Sequence, residues 1–327
     1  MDEATVIERF FRHLGAVRTD VVLGIGDDAA LLRPPPGFDI ALTTDSLVEN
    51  EHFLPGSAPR SLGYRALAVN ISDLAAMGAT PTWALLSLTL PAVDESWLGD
   101  FAMGFGRLAR EQNITLIGGN LSRGPLNITV QLAGHVAAGT ALRRSGARQG
   151  DAIWVSGTLG DAALGRHMAI DADDTAPSRW LRDRFDYPTP RVALGDALRG
   201  VASACIDLSD GLLVDLPRLA AASHSGAVLD VDRLPLSDAL KAQHPIVGPE
   251  HGAPREPAWQ RALVGGEDYE LCFTAPSTAT AALAGIAERC AVALTCCGQV
   301  RQTAGLELRN AGAVIQFSQS PFGHFGP

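Results

Sequence analysis

Six aspartates recur in one setting, where short apolar runs meet glycines or small polar residues. Asp27 and Asp28 stand in LGIGDDAALL, Asp45 in LTTDSL, Asp73 in VNISDLAAMG, and Asp207 and Asp210 in CIDLSDG. No lysine or arginine lies within two residues of any of them, so local ion pairing is not the evident reason for them. Removing a carboxylate from water costs several kcal/mol if nothing compensates, more than a turn would gain. A divalent cation compensates. Oxygen donors without a His or Cys cluster point to Mg²⁺, which keeps several waters and binds through a few carboxylates plus substrate phosphates. Taken alone, each Gly-Asp pair is equally well explained as a surface turn.

Phosphate chemistry has a second requirement, which is donors for phosphate oxygens. LIGGNLSRG (116–124) and VSGTLGDAALG (155–165) read as Gly-rich turns after strands, the second running into a helix whose first N–H groups would attract an anion. Arg123 and Arg144 lie beside these turns, where a solvated arginine is the alternative reading. The 26 basic residues include one lysine, Lys241, so neither a P-loop lysine nor a protein-kinase lysine is present. Metals, arginines and backbone N–H groups must do that work. Glu267 and Asp268 in GGEDYELCF repeat the pattern of acids after glycines, although a turn before a strand also accounts for them.

A formal charge of −10 disfavours a nucleic-acid partner, because binding that backbone needs clustered Lys and Arg. No apolar run reaches membrane-spanning length, and the opening residues, acidic and amphipathic, do not have the pattern of a signal peptide. Five cysteines without a C-x-x-C pair argue against a zinc site and a disulfide framework, and a reducing, cytoplasmic setting is expected.

The elements that must hold these residues alternate along 327 positions, a length that calls for two domains. After an N-terminal helix, strands are expected at 39–48, 82–91, 114–119 and 126–139, and helices at 61–78 and 95–112. The polar stretch 142–151 reads as the crossing, giving domains at 1–140 and 141–327. In the second half, strands at DAIWVSG, CIDLSDG, YELCFTAP and VALTCCGQV alternate with helices. The long extended run at 126–139 suggests partly antiparallel sheets, so a mixed α/β (α+β) class is expected. The segment 241–266, rich in Pro, Gly and His, reads as an aperiodic surface excursion.

The order GIGDDAALL, TTDSLVENEHF, NISDLAAMGATP, LIGGN, RSGARQGD, IDLSDGL, GGEDYELCFT and a terminal FGHF resembles the thiamine-monophosphate kinases of the aminoimidazole-ribonucleotide synthetase superfamily. The resemblance runs from about residue 20 to the C-terminus. It implies a two-domain fold whose N-terminal domain binds metal and ATP and pairs with its copy, a homodimer, and transfer of the γ-phosphoryl of ATP to thiamine monophosphate. It makes Asp28, Thr43, Thr44, Asp45, Asp73, Asn120, Asp207 and Asp210 the magnesium set, with Asp73, Asp45 and Asp210 closest to the chemistry. Gly119, Asn120, Arg144 and Ser209 would contact ATP, and His52, Glu267 and Phe322 the thiamine substrate. Many members carry Asp where this chain has Asn120. The alternatives are a sibling synthetase on the same fold and a non-catalytic nucleotide- or metal-binding regulator. A selenophosphate synthetase would carry a reactive Cys or selenocysteine near its N-terminus, whereas the first cysteine here is Cys205.

Overall fold

The computed structural model describes residues 1–168, 175–243 and 257–318. The chain divides into two compact units, residues 1–74 with 79–141, and residues 75–78 with 142–327.

The first unit opens with a short helix, α1 (Glu3–Val6), continued by a π-helical turn over Ile7–Phe11. A two-stranded ribbon follows, β1 (Val21–Leu23) with β2 (Leu31–Leu32), and GIGDDAA forms the connection between them. Then come β3 (Phe38–Val48), α2 (Pro59–Ala76), β4 (Thr80–Leu90), α3 (Glu95–Glu111), β5 (Thr115–Arg123) and β6 (Asn127–Ala137). The last four strands make one sheet in the order β3-β6-β4-β5, antiparallel except for the β4–β5 pair. Along β6 burial alternates, with Ile128, Val130, Leu132 and Val136 buried and Gln131 exposed, so one face is covered and the other is not. Helix α2 lies on the covered face, since Thr43 of β3 hydrogen-bonds Asp73 of α2 and Leu132 is the register partner of Thr43. Its neighbour α3 starts where Asp94 accepts from the Ser96 and Trp97 amides, and it buries Leu98, Phe101, Phe105 and Leu108. The two helices cross closely: a Cβ on Gly104 would stand 1.8 Å from the Arg60 carbonyl oxygen, so only glycine fits there.

One expected turn is a strand. LIGGN does not reverse the chain but continues β5 through Arg123, paired in parallel with β4. A bulge absorbs the glycines: Leu116 pairs with Ala84 and Gly118 with Leu85, which leaves Ile117 as the extra residue. A Cβ at Gly119 would lie 1.9 Å from the Leu86 carbonyl oxygen, so the glycine serves this close strand approach.

The second unit contains β7 (Ala152–Ser156), α4 (Asp161–His167), α5 (Ala176–Asp186), α6 (Val192–Leu198), β8 (Ala204–Asp207), α7 (Leu212–Ala222), β9 (Gly226–Asp230), α8 (Asp238–Gln243), α9 (Trp259–Val264), β10 (Leu271–Ala275), α10 (Thr280–Cys290), β11 (Leu294–Arg301), β12 (Gly305–Asn310) and β13 (Ala313–Ile315). Its sheet runs β13-β12-β9-β11-β7-β10-β8, antiparallel except for β12 against β9. Strands β8 and β10 are buried along their whole length, and alternate residues feed two cores. Ile153, Val155, Ile206 and Cys272 pack with Leu212, Leu216 and Leu219 of α7. On the other face Cys205, Leu271 and Phe273 pack with Leu194 and Leu198 of α6 and Leu283 and Ile286 of α10. Burial on both faces explains why these strands read as unbroken apolar runs.

The 241–266 segment is less irregular than its composition suggests. Lys241 lies in α8, and Trp259, Ala262 and Leu263 make an i, i+3, i+4 stripe on α9 that buries Ala262 and Leu263. Residues 244–256 lie outside the described residues.

Candidate active site

In the first unit three elements present the expected donors. On β3, residues 43, 44 and 45 alternate between faces, so Thr43 and Asp45 share the α2 side and Thr44 points the other way. The Thr43 hydroxyl donates to Asp73 Oδ2, which fixes that carboxylate against the strand, and Thr44 donates to the Val130 carbonyl at 3.3 Å. Asp73 is half-buried on its helix and Asp45 is exposed. The Asp27–Asp28 doublet divides its work: Asp27 Oδ1 accepts the Asp28 amide at 2.8 Å, and the Asp28 side chain is exposed. Both line a cavity of about 840 Å³ that also receives Arg12, Ser87, Gly119 and Asn120. His52 follows β3. Its Nδ1 accepts the Val48 amide at 3.1 Å, which assigns the neutral ring's proton to Nε2, and its carbonyl accepts from the buried Arg65 at 2.9 Å.

In the second unit β8 ends at Asp207, 6% exposed, and the loop after it carries Ser209 and Asp210. The turn before β10 runs alongside this loop. The Glu267 amide donates to the Ser209 carbonyl at 2.8 Å, the Tyr269 amide to the Leu208 carbonyl at 2.9 Å, and the Leu208 amide to the Glu270 carbonyl at 2.9 Å. Glu267 and Tyr269 hold positive φ angles of 63° and 50°, conformations that non-glycine residues adopt at a cost. Their side chains meet as well, with the Tyr269 hydroxyl donating to Glu267 Oε2 at 2.9 Å and Arg166 Nη1 standing 4.0 Å from Oε1. The Ser209 hydroxyl reaches Asp210 Oδ1 at 3.2 Å, so Ser209, Asp210 and Glu267 form one backbone-linked group. Arg144 is exposed, and its carbonyl accepts from Ser223 at 3.0 Å.

A basic residue stands at Asp210 although none is near it in sequence. Arg218 of α7 donates to Asp210 at 2.6 Å and to Asp215 at 2.9 Å. Asp215 accepts the amides of Asp210 and Gly211, which closes the start of α7, and burial together with the Asp210 charge pushes its pKa up to about 6. The i, i+3 spacing of Asp215 and Arg218 was a usable signal for that pair.

In the Gly-rich turn VSGTLG the Gly160 amide at the start of α4 already has a partner within the protein. The Gly160 N–H donates to both oxygens of Asp268, at 3.0 and 2.9 Å, and burial pushes the Asp268 carboxyl well above its ordinary range. Glu270 lies beside it, fully buried. Burial alone would raise its pKa, but the bonds and charge of Arg191, with Arg184, hold it below the ordinary value. These acids therefore build the platform beneath Glu267 and the 208–210 loop.

Asp28, Thr43, Thr44, Asp45, His52, Asp73, Gly119 and Asn120 thus belong to the first unit, and Arg144, Asp207, Ser209, Asp210 and Glu267 to the second. Phe322 lies outside the described residues. Among the described residues no three His, Cys, Asp or Glu side chains converge as a group that could hold a metal ion. No helix among them is long and apolar enough to cross a membrane.

The N-terminal domain model of AIR synthase related proteins matches residues 26–136, and the C-terminal domain model matches residues 148–309. The thiamine-monophosphate kinase of Salmonella typhimurium is 45% identical over 327 residues, covering 99% of this chain and 98% of that protein. The crystal structure of thiamine-monophosphate kinase from Stenotrophomonas maltophilia superposes with a TM-score of 0.82 at 44% identity, over 90% of this chain and 93% of that one. The structure of AaThiL complexed with AMPPCP and TMP superposes with a TM-score of 0.74 at 33% identity, over 89% of each chain.

Proposed function

The chain belongs to the thiamine-monophosphate kinases among the AIR synthase related proteins, and from that membership we infer that it transfers the γ-phosphoryl group of ATP to thiamine monophosphate, giving thiamine diphosphate. The observation that carries the reading is the likeness, along nearly the whole chain, to a structure holding AMPPCP and TMP together. Such a transfer asks the protein for alignment and charge neutralisation rather than for covalent chemistry. The acceptor is itself a phosphate monoester, largely dianionic above its second pKa of about 6, so no general base is needed. The assigned residues accordingly include carboxylates and hydroxyls but no lysine.

We assign Asp28, Thr43, Thr44, Asp45, Asp73, Asn120, Asp207 and Asp210 to Mg²⁺, with Asp73, Asp45 and Asp210 nearest the transferred group. The donor set fits this ion. All donors are oxygens, and an arrangement without a closed carboxylate cage suits a cation that keeps its waters and takes substrate phosphates as ligands. These residues would hold Mg²⁺, and the chemistry it would supply there is neutralisation of the charge on the transferred phosphoryl group. Gly119, Asn120, Arg144 and Ser209 are assigned to ATP. His52, Glu267 and Phe322 are assigned to the thiamine substrate.

A homodimer formed through the first unit belongs to the same proposal. The uncovered sheet face supports it, because edge strand β3 leaves Phe38, Ile40 and Leu42 exposed there. The five free thiols support a reducing, cytoplasmic setting.

Incubation with ATP, Mg²⁺ and thiamine monophosphate, followed by chromatography, tests the reading. Thiamine diphosphate should form, stop forming when EDTA is added, and return with excess Mg²⁺. A protein that binds ATP and yields no phosphorylated product would support the regulator reading instead.

A further inference from the structure

Arg218 makes an unusual contact for a residue beside an assigned cation ligand. A single nitrogen, Nη1, stands 2.6 Å from Asp210 Oδ2 and 2.9 Å from Asp215 Oδ1, so one guanidinium bridges two carboxylates. The carboxylates differ. The Asp215 side chain is 2% exposed and is built into the loop, its Oδ2 accepting the Asp210 and Gly211 amides at 3.0 and 3.1 Å. The Asp210 side chain is 20% exposed and opens toward water, and that of Arg218 is 47% exposed.

A cation that ligates Asp210 competes with Arg218 for the charge of one carboxylate, and two positive charges gathered on the same carboxylate repel each other. Giving up the Asp210 contact is cheap on the arginine side, since an ion pair made by a half-exposed guanidinium is weak. The pairing with Asp215 keeps the arginine close while Asp210 changes partner. We propose that Arg218 is a built-in competitor for the cation at Asp210, neutralising that carboxylate until Mg²⁺ replaces it and so setting the Mg²⁺ concentration at which this end of the site fills. The proposal rests on the assignment of Asp210 to the magnesium set.

The test is a Mg²⁺ titration of the intact protein without nucleotide, followed by Tm and by titration calorimetry. The parent, Arg218→Gln, Arg218→Ala, Arg218→Lys and Asp210→Asn are compared, each first checked for a native circular dichroism spectrum. The Gln and Ala variants should reach half-saturation at a Mg²⁺ concentration about two- to five-fold lower than the parent, the range expected for loss of an exposed ion pair. The Lys variant, which keeps the charge, should stay near the parent. Half-saturation that is unchanged or raised in both neutral variants overturns the proposal. If Asp210→Asn alone leaves the Mg²⁺ response as in the parent, Asp210 is no ligand, and the failure lies in the assignment beneath the proposal.

Discussion

Asp73 is the residue on which the first unit's share of the proposed chemistry turns, because Thr43 already holds one of its oxygens against β3. An amide at this position keeps a hydrogen-bond acceptor for Thr43 but loses the negative charge, so it separates charge from packing. Asp73→Asn should abolish transfer while leaving the circular dichroism spectrum and the melting curve close to the parent's. Near-normal turnover of that variant at saturating Mg²⁺ would remove Asp73 from the metal set. The candidates at this scale were legible because each motif carries its own spacing. The partners of those candidates were not. Arg218 reaches Asp210 from 8 residues away, and Gly160 and Asp268 meet across 108.

Whole elements depend on the buried charges of the second unit. Glu270, at the foot of β10, accepts from Arg184 of α5, from Arg191 just before α6 and from Ser156 at the end of β7, so one carboxylate joins four elements. Glu270→Gln leaves the half-buried Arg191 without its counter-charge and the half-buried Arg184 with only Asp161, 4.0 Å away, and should cost on the order of 3 kcal/mol, read as a lower urea midpoint at pH 7. The pH dependence has a definite sign. The folded-state pKa lies below the ordinary glutamate value of 4.5, so the stabilisation is present above that value and is lost as pH falls through the folded one. The gap between parent and variant should therefore narrow as the solution is acidified below pH 4.5. A gap that stays constant on acidification would mean that Glu270 acts by shape alone.

Most elements were legible from their periodicity, α2, α3, β3, β4 and β6 among them. Glycine misled at two places for different reasons. In LIGGN the glycines serve a bulge and the close approach of β5 to Leu86, which a single sequence does not distinguish from a turn. In VSGTLG the helix start was recognised, but the carboxylate that takes its Gly160 amide is distant in the chain. The helix α9 was hidden by the Pro and Gly residues around it, although its short apolar stripe was there to be counted.

For the whole molecule, direct transfer from ATP to a phosphate acceptor is what separates a kinase from a sibling synthetase on the same fold, which would use ATP differently. Incubation with ATP labelled in its γ-phosphate, Mg²⁺ and thiamine monophosphate separates the two outcomes. Direct transfer puts the label in thiamine diphosphate, in a one-to-one ratio with the ADP formed and with little in inorganic phosphate. Label released as inorganic phosphate, with thiamine monophosphate recovered unchanged, would contradict it.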